Sequence, residues 1–157
     1  GEKLSESSDL FRGGRQYALG QTHKHLPEMV KVCGLASAPV FAPIVVPHYS
    51  GMETTVMLQG ADVKGGLAAV KDCLRAAYAE ERIVRFVEDP SEGGILSSAA
   101  LSGRDDLEVS AYGNDARLIL VARFDNLGKG ASGAAIQNMN LVLGVNEACG
   151  LTVQDAL

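Results

Sequence analysis

Cysteine is scarce and poorly placed for cross-linking. Cys33, Cys73 and Cys149 make an odd count with no C-x-x-C spacing, which excludes a disulfide framework and leaves no zinc-type ligand pattern. Each falls in or beside an apolar helical stretch, where a reduced cysteine is expected to pack as a small hydrophobe. Clustered basic charge is missing as well. The 14 Lys and Arg residues are scattered singly and the formal net charge is −5, so no surface is expected to track nucleic-acid phosphates. No apolar run reaches the roughly 18 residues of a membrane helix, and the first residues are too polar for a secretory signal. The chain is therefore expected to be soluble and cytoplasmic. It opens on Gly1 rather than a methionine, as expected for an excised or processed piece.

What is present is a chain of one domain's length, 157 residues, with enough hydrophobic content (46 %) for a proper core. Residues 1–14 are polar and Gly-rich at both ends and are read as a loop. Residues 15–21 fit a short strand, and a helix is expected from Pro27 to about Gly34. Proline and Glu28 both favour a first turn. Residues 38–49 are apolar on both faces but interrupted by Pro39, Pro43 and Pro47, so they must be an edge or bulged strand. Together with 52–59 they are expected to form a hairpin around Ser50-Gly51 or one long bent strand.

After Lys64-Gly65-Gly66, the spacing of Leu67, Val70, Leu74, Ala77 and Tyr78 predicts an amphipathic helix. Residues 82–87 supply a strand, and 88–94 (EDPSEGG) read as a solvated acidic loop. Two further strands, 107–112 and 117–124, are joined by turn residues suited to a hairpin. A last helix is expected to start near Gly130, with Ile136, Met139 and Leu143 as its apolar stripe and the tail 144–157 as a packing partner. Strands that mostly neighbour in sequence, plus three helices, predict an α+β fold: a mixed, largely antiparallel sheet with helices on one face.

Two stretches carry chemistry. His23-Lys24-His25-Leu26-Pro27-Glu28 places two histidines before a helix. The H-x-H spacing, with Glu28 or His48 as a third ligand, would also fit a metal, but Pro27 at a helix start already explains the pattern, so no metal is expected. Residues 125–140 (DNLGKGASGAAIQNMN) carry a strand into a helix through Gly128, Gly130 and Gly133. Those glycines are expected to allow positive φ and close approach, with free N–H groups aimed at an anion or carboxamide. The turn is not a phosphate-binding Walker loop, and no G-x-G-x-x-G fingerprint occurs anywhere.

These two motifs, in this order, resemble the C-terminal signatures of the N-acetyl-γ-glutamyl-phosphate reductases, NADPH-dependent enzymes of arginine biosynthesis. The resemblance runs from roughly Gly1 to Leu151, nearly the whole of a chain expected to be one domain over 1–157, but covers about half of such an enzyme. It implies a substrate-binding and oligomerisation domain like the C-terminal domains of aspartate-semialdehyde and glyceraldehyde-phosphate dehydrogenases. An N-terminal dinucleotide-binding domain would be the partner that holds most of the NADP. None of the three cysteines has the Gly-Cys-Tyr-like context of the family's nucleophile, so the chain alone is expected to be inactive.

By the same resemblance His23 is the base partner of the catalytic thiol, an imidazole suited to moving a proton near neutral pH. His25, His48 and Ser50 are expected at the acyl-phosphate substrate; Ser50 stands where the family usually has a basic residue, with His48 as its substitute. Asn126 would hold the nicotinamide carboxamide through an amide that both donates and accepts, beside Lys129 and Gly130. His23 and Asn126 are expected to share one cleft edge. The competing expectation is a homo-oligomeric α+β module of the same fold without catalysis.

Overall fold

The two-residue turn Asp115-Ala116 is closed by Asn114, whose Oδ1 accepts the N–H groups of Ala116 (3.0 Å) and Arg117 (3.1 Å). An Asn at this position stands in for a backbone acceptor. It joins two of the longest strands of the protein. In the computed structural model, which describes residues 12–154, the chain divides into two compact units, Gly1–Tyr49 and Ser50–Leu157. Most of the loop expected over 1–14 therefore lies outside the described residues, as does the very end of the tail.

In the first unit β1 (Arg15–Gln16) pairs antiparallel with β2 (Ile44–Val45), and Tyr17 N–H extends the pairing to Pro43 O at 3.1 Å. α1 spans His25–Cys33 and ends on Gly34, whose φ of 63° suits a left-handed cap. The helix thus begins two residues earlier than the proline suggested. Pro27 is its third residue, still within the first turn where no N–H is required. Leu26 is its buried residue.

In the second unit β5 (Leu107–Asn114) and β6 (Arg117–Phe124) form the expected hairpin. β3 (Met52–Gln59) lies antiparallel on the far side of β6, and the short β4 (Val84–Phe86) runs parallel to β5. The order is β3-β6-β5-β4. Residues 38–59 are therefore neither a hairpin nor one bent strand: each half finds its partner elsewhere, β2 on β1 and β3 on β6. Periodicity cannot choose between partners, and within the proline-interrupted segment 38–49 the strand is confined to Ile44–Val45.

α2 (Gly66–Ala77) packs against β5, with Leu67, Val70, Leu74 and Tyr78 half-buried as their spacing predicts, whereas Ala77 of the same expected stripe is exposed at the helix end. Its start is held from outside. Asp115 Oδ1 accepts the N–H of Leu67 at 3.0 Å, and an added Cβ on Gly66 (φ 68°) would run into that carboxylate. Arg75 lies over the Phe86 ring at 5.3 Å. Lys71 and Arg75 both bind Glu88, while Asp89 accepts Ser91 N–H and Tyr112 O–H. The acidic stretch is thus tied down at its start rather than simply solvated.

Register places Arg85, Glu108, Arg123 and Glu53 in one row on the opposite face from Phe86 and Val109. The segment 87–106 crosses that charged face, where Arg123 donates to Pro90 O and Ser97 O. Arg85 and Arg123 share Glu108, and Arg85 and Arg104 share Asp106. Burial pushes the Asp106 carboxyl up, but Arg104 and Arg85 beside it hold it below the usual carboxylate range. The buried hydrophobic residues of this unit are Ile83, Leu101, Ala111, Leu118 and Val121.

α3 (Gly133–Leu143) follows a π-helical turn at Gly128–Ser132, so the regular helix starts three residues later than expected. The buried Asn140 draws the tail back by donating to Glu147 O and Cys149 O, both at 2.9 Å. Met139 and Leu143 of the predicted stripe, with Leu141 and Val142, remain exposed. All three cysteines are exposed rather than packed as small hydrophobes. Flanking apolar residues do not fix which side of a helix a single cysteine takes.

Candidate functional site

The first candidate site is built around His23. Ala18 (φ 53°) and Gln21 (φ 54°) both take the left-handed conformation that non-glycine residues rarely adopt. Gln21 then uses both ends of its amide on Phe41: Nε2 donates to Phe41 O at 2.7 Å, and Oε1 accepts Phe41 N–H at 2.9 Å. This clamp brings Phe41 to His23, with ring centroids 5.2 Å apart. Tyr17 and His25 complete a bowl of rings around the imidazole, at 5.7 and 4.6 Å.

His23 Nδ1 accepts the N–H of His25 at 3.2 Å. An open hollow of about 440 Å³ lies alongside, walled by Thr22, His23, Leu26, Pro27, Val30 and Lys31 among others. His25 opens α1 instead of lying in the loop before it, and its Nε2 is 3.8 Å from Glu28 one turn on. His48 is half-buried, with its Nε2 enclosed and without a hydrogen-bond partner among the described residues. Among the described residues no three His, Cys, Asp or Glu side chains gather as a cation would require.

The second site lies in the other unit, where β6 ends. Asp125 is 2 % exposed, and its carboxylate collects four donors: Leu127 N–H (2.7 Å), Gly128 N–H (3.1 Å), Gly103 N–H (2.5 Å) and Ser50 O–H (2.8 Å). Gly130 N–H bonds Asp125 O and Ser132 N–H bonds Leu127 O. The N–H groups expected to await a bound anion are thus largely taken by the chain's own carboxylate and carbonyls. None of the three glycines takes positive φ. They are needed for close approach instead: a Cβ on Gly128 would come within 2.5 Å of Arg104 O, and one on Gly133 would strike the Asp105 carboxylate.

Burial pushes the Asp125 carboxyl up, but the backbone N–H groups and the Ser50 hydroxyl outweigh it and hold the acid below its usual range. Ser50 is itself buried, sharing a hydrogen bond with Ser102 Oγ at 2.5 Å. Its hydroxyl is committed within this unit. Asn126 is exposed and accepts Gly51 N–H through Oδ1 at 2.8 Å. The acceptor half of its amide is therefore spent, and Nδ2 has no partner among the described residues. Lys129 donates to Gln137 Oε1 at 2.5 Å, and Gln137 passes the contact to Glu147.

Asp125 and Gln21 are the residues that pattern reading left without a role. An Asp followed at two and three residues by free N–H groups is a signal of a local turn acceptor, so Asp125 was readable in principle. Gln21 was not, because its partner is far along the chain and its conformation is atypical for its residue type.

The chain that carries these two clusters, one in each unit, matches a known family. Residues 2–126 fit the family model described as semialdehyde dehydrogenase, dimerisation domain, and the chain belongs to that family. Among curated proteins it is similar to N-acetyl-gamma-glutamyl-phosphate reductase 2 of Nostoc sp., 39 % identical over 144 residues, covering 86 % of this chain and 45 % of the relative. It is also similar to the N-acetyl-gamma-glutamyl-phosphate reductase of Burkholderia cenocepacia, at 38 % over 138 residues (84 % and 44 %). The enzyme of that name from Allorhizobium ampelinum is 41 % identical over 148 residues (90 % and 48 %). The chain spans about half the length of the curated relatives it matches. Among the described residues no helix is long and apolar enough to cross a membrane.

Proposed function

We propose that this chain is the substrate-binding and dimerisation part of an NADP-dependent reductase that converts N-acetyl-glutamyl 5-phosphate to N-acetyl-glutamate 5-semialdehyde in arginine biosynthesis. The observation that carries this reading is His23: an imidazole braced on three sides by aromatic rings, beside an open hollow, with one ring nitrogen uncommitted among the described residues. Its family membership and relatives support the same class.

The chemistry divides between two halves. A thiolate displaces phosphate from the acyl phosphate and leaves a thioester, which a hydride then reduces to the aldehyde. NADP in its reduced form supplies that hydride when bound. The thiolate and most of the dinucleotide contacts belong to a partner dinucleotide-binding domain, so the chain alone has no activity. His23 orients the sulfur and manages the proton, while His25 faces the substrate; His48, with its Nε2 enclosed, has only Nδ1 left to contribute. Ser50, held by Asp125, supports the turn at Gly51.

Asn126 fits the cofactor in part. Its free Nδ2 suits the carboxamide oxygen of a nicotinamide, and its Oδ1 is already taken by Gly51. Gly130 offers room rather than a donor, since its N–H is used internally, and Lys129 lines the same turn.

Joining the chain to a dinucleotide-binding half that carries a Gly-Cys turn, and following NADP-dependent oxidation of N-acetyl-glutamate semialdehyde, tests the assignment. His23→Asn is expected to lower the rate on the order of 10²- to 10⁴-fold. Full activity in that variant would refute the role given to His23. A second reading, a dimerising module without catalysis, is favoured by the exposed apolar side chains of the sheet's edge strand, Met52, Val56 and Met57. Both readings require a homo-oligomer, which sedimentation of the chain at high micromolar concentration would reveal; a monomer there counts against both.

A further inference from the structure

We propose that Ser102 and Asn126 together form a subsite for a primary carboxamide, in which Asn126 donates to the carbonyl oxygen and Ser102 accepts from the amide nitrogen. This rests on the reading that Asn126 meets the nicotinamide, and it names the second contact that such a group requires. Three dipeptides from distant parts of the larger unit lock together here. Ser50 Oγ donates to Asp125 Oδ2 at 2.8 Å and shares a hydrogen bond with Ser102 Oγ at 2.5 Å. Gly103 N–H donates to Asp125, and Gly51 N–H donates to Asn126 Oδ1 at 2.8 Å. Ser50 and Asp125 are buried in this node, whereas Ser102 and Asn126 are exposed.

The direction of each hydrogen bond follows from the innermost member. Burial pushes the Asp125 carboxyl up, but the backbone N–H groups of Gly103 and Leu127 outweigh it, so the acid is ionised at neutral pH. A carboxylate has no proton to give, and Ser50 must therefore donate to it. With its single proton spent, Ser50 can only accept from Ser102. Ser102 Oγ has no other side-chain partner among the described residues, and it offers an incoming group lone pairs alone.

Asn126 is the complement. A backbone N–H can be received only by the amide oxygen, so Gly51 fixes which end of the side chain is which, and Nδ2 is left to donate. Gly51 sits close against the neighbouring backbone, where an added Cβ would run into Ser98 O. The anchors of Ser102 and Asn126, Ser50 and Gly51, are consecutive residues, which sets the acceptor beside the donor.

Such a pair reads one kind of amide. In a primary carboxamide one N–H lies on the same edge as the carbonyl oxygen, and both can be met from one side. In a secondary amide the trans geometry turns the N–H to the opposite edge. The pair therefore selects the nicotinamide carboxamide over the acetamido group of an N-acetylated substrate.

Calorimetric titration of the joined enzyme with NADP and with its 3-acetylpyridine analogue tests this. The analogue keeps the carbonyl oxygen and carries a methyl group in place of the amide nitrogen. Ser102→Ala is expected to weaken NADP binding about 5- to 10-fold, as the loss of one hydrogen bond does. The analogue has no N–H to lose, so its affinity should stay within about twofold, which also reports that the variant is folded. Asn126→Ala should weaken both cofactors.

Equal loss of both cofactors in Ser102→Ala, or loss of neither, overturns the proposal. So does weaker binding of the N-acetylated semialdehyde in that variant with cofactor affinity unchanged, since the node would then hold the acetamido group. The underlying reading fails in a different way. If Asn126→Ala leaves both cofactors unaffected, Asn126 does not meet the nicotinamide and the subsite falls with it; if Asn126→Ala weakens both and Ser102→Ala neither, only the role of Ser102 is lost.

Discussion

Asp125 shows how much one side chain can organise. Four donors converge on a carboxylate that is almost fully buried, and removing the charge would strand several of them in a dry environment. Asp125→Ala is expected to cost about 3 kcal/mol or more, measured by urea unfolding, and Asp125→Asn somewhat less. The acid has a folded pKa below its unfolded one, despite burial that acts the other way. Its stabilisation is therefore fully present above the unfolded carboxyl value of about 3.9, and is lost as pH falls through the lower folded value. The melting temperature should drop on acidification below about pH 4, with a flatter profile in Asp125→Asn. The sequence displayed both the Gly-rich turn and its appetite for an anion. Asp125 as the local acceptor was readable in principle, but not the donors and contacts that complete the turn, because Gly103, the Arg104 backbone and the Asp105 carboxylate come from a distant segment.

Helices announce themselves through spacing, and their ends depend on partners that spacing does not reveal. The stripe of α2 was legible from Leu67 to Tyr78, yet its N-terminus is capped from the β5–β6 turn by Asp115. Asp115→Ala should cost about 1 kcal/mol, as for other lost caps. Gly66→Ala should cost more, since a methyl there meets both a positive φ and the Asp115 carboxylate. Thermal melts of the two variants and of the double variant check this. The double should be less than additive, because removing Asp115 removes one of the two objections to the methyl. Strands were harder. β5 and β6 were readable because a tight turn joins them, whereas β2 and β3 looked like neighbours and are partners of other strands.

At the scale of the whole molecule, the α+β class and the family could be read from two motifs and the order of the elements. The division at Tyr49 and Ser50 could not, because nothing in the composition changes there. One feature of the larger unit bears on handling. β3 stands at the outside of its sheet over eight residues, with Glu53 as its one charge, no proline, and Met57 81 % exposed. Natural edge strands are commonly guarded by lysine, proline or a bulge against joining foreign strands. Prolonged storage of the concentrated protein should therefore yield cross-β fibrils seeded along this strand. Met57→Lys should lengthen the lag before thioflavin fluorescence rises, and an unchanged lag would place the nucleating stretch elsewhere.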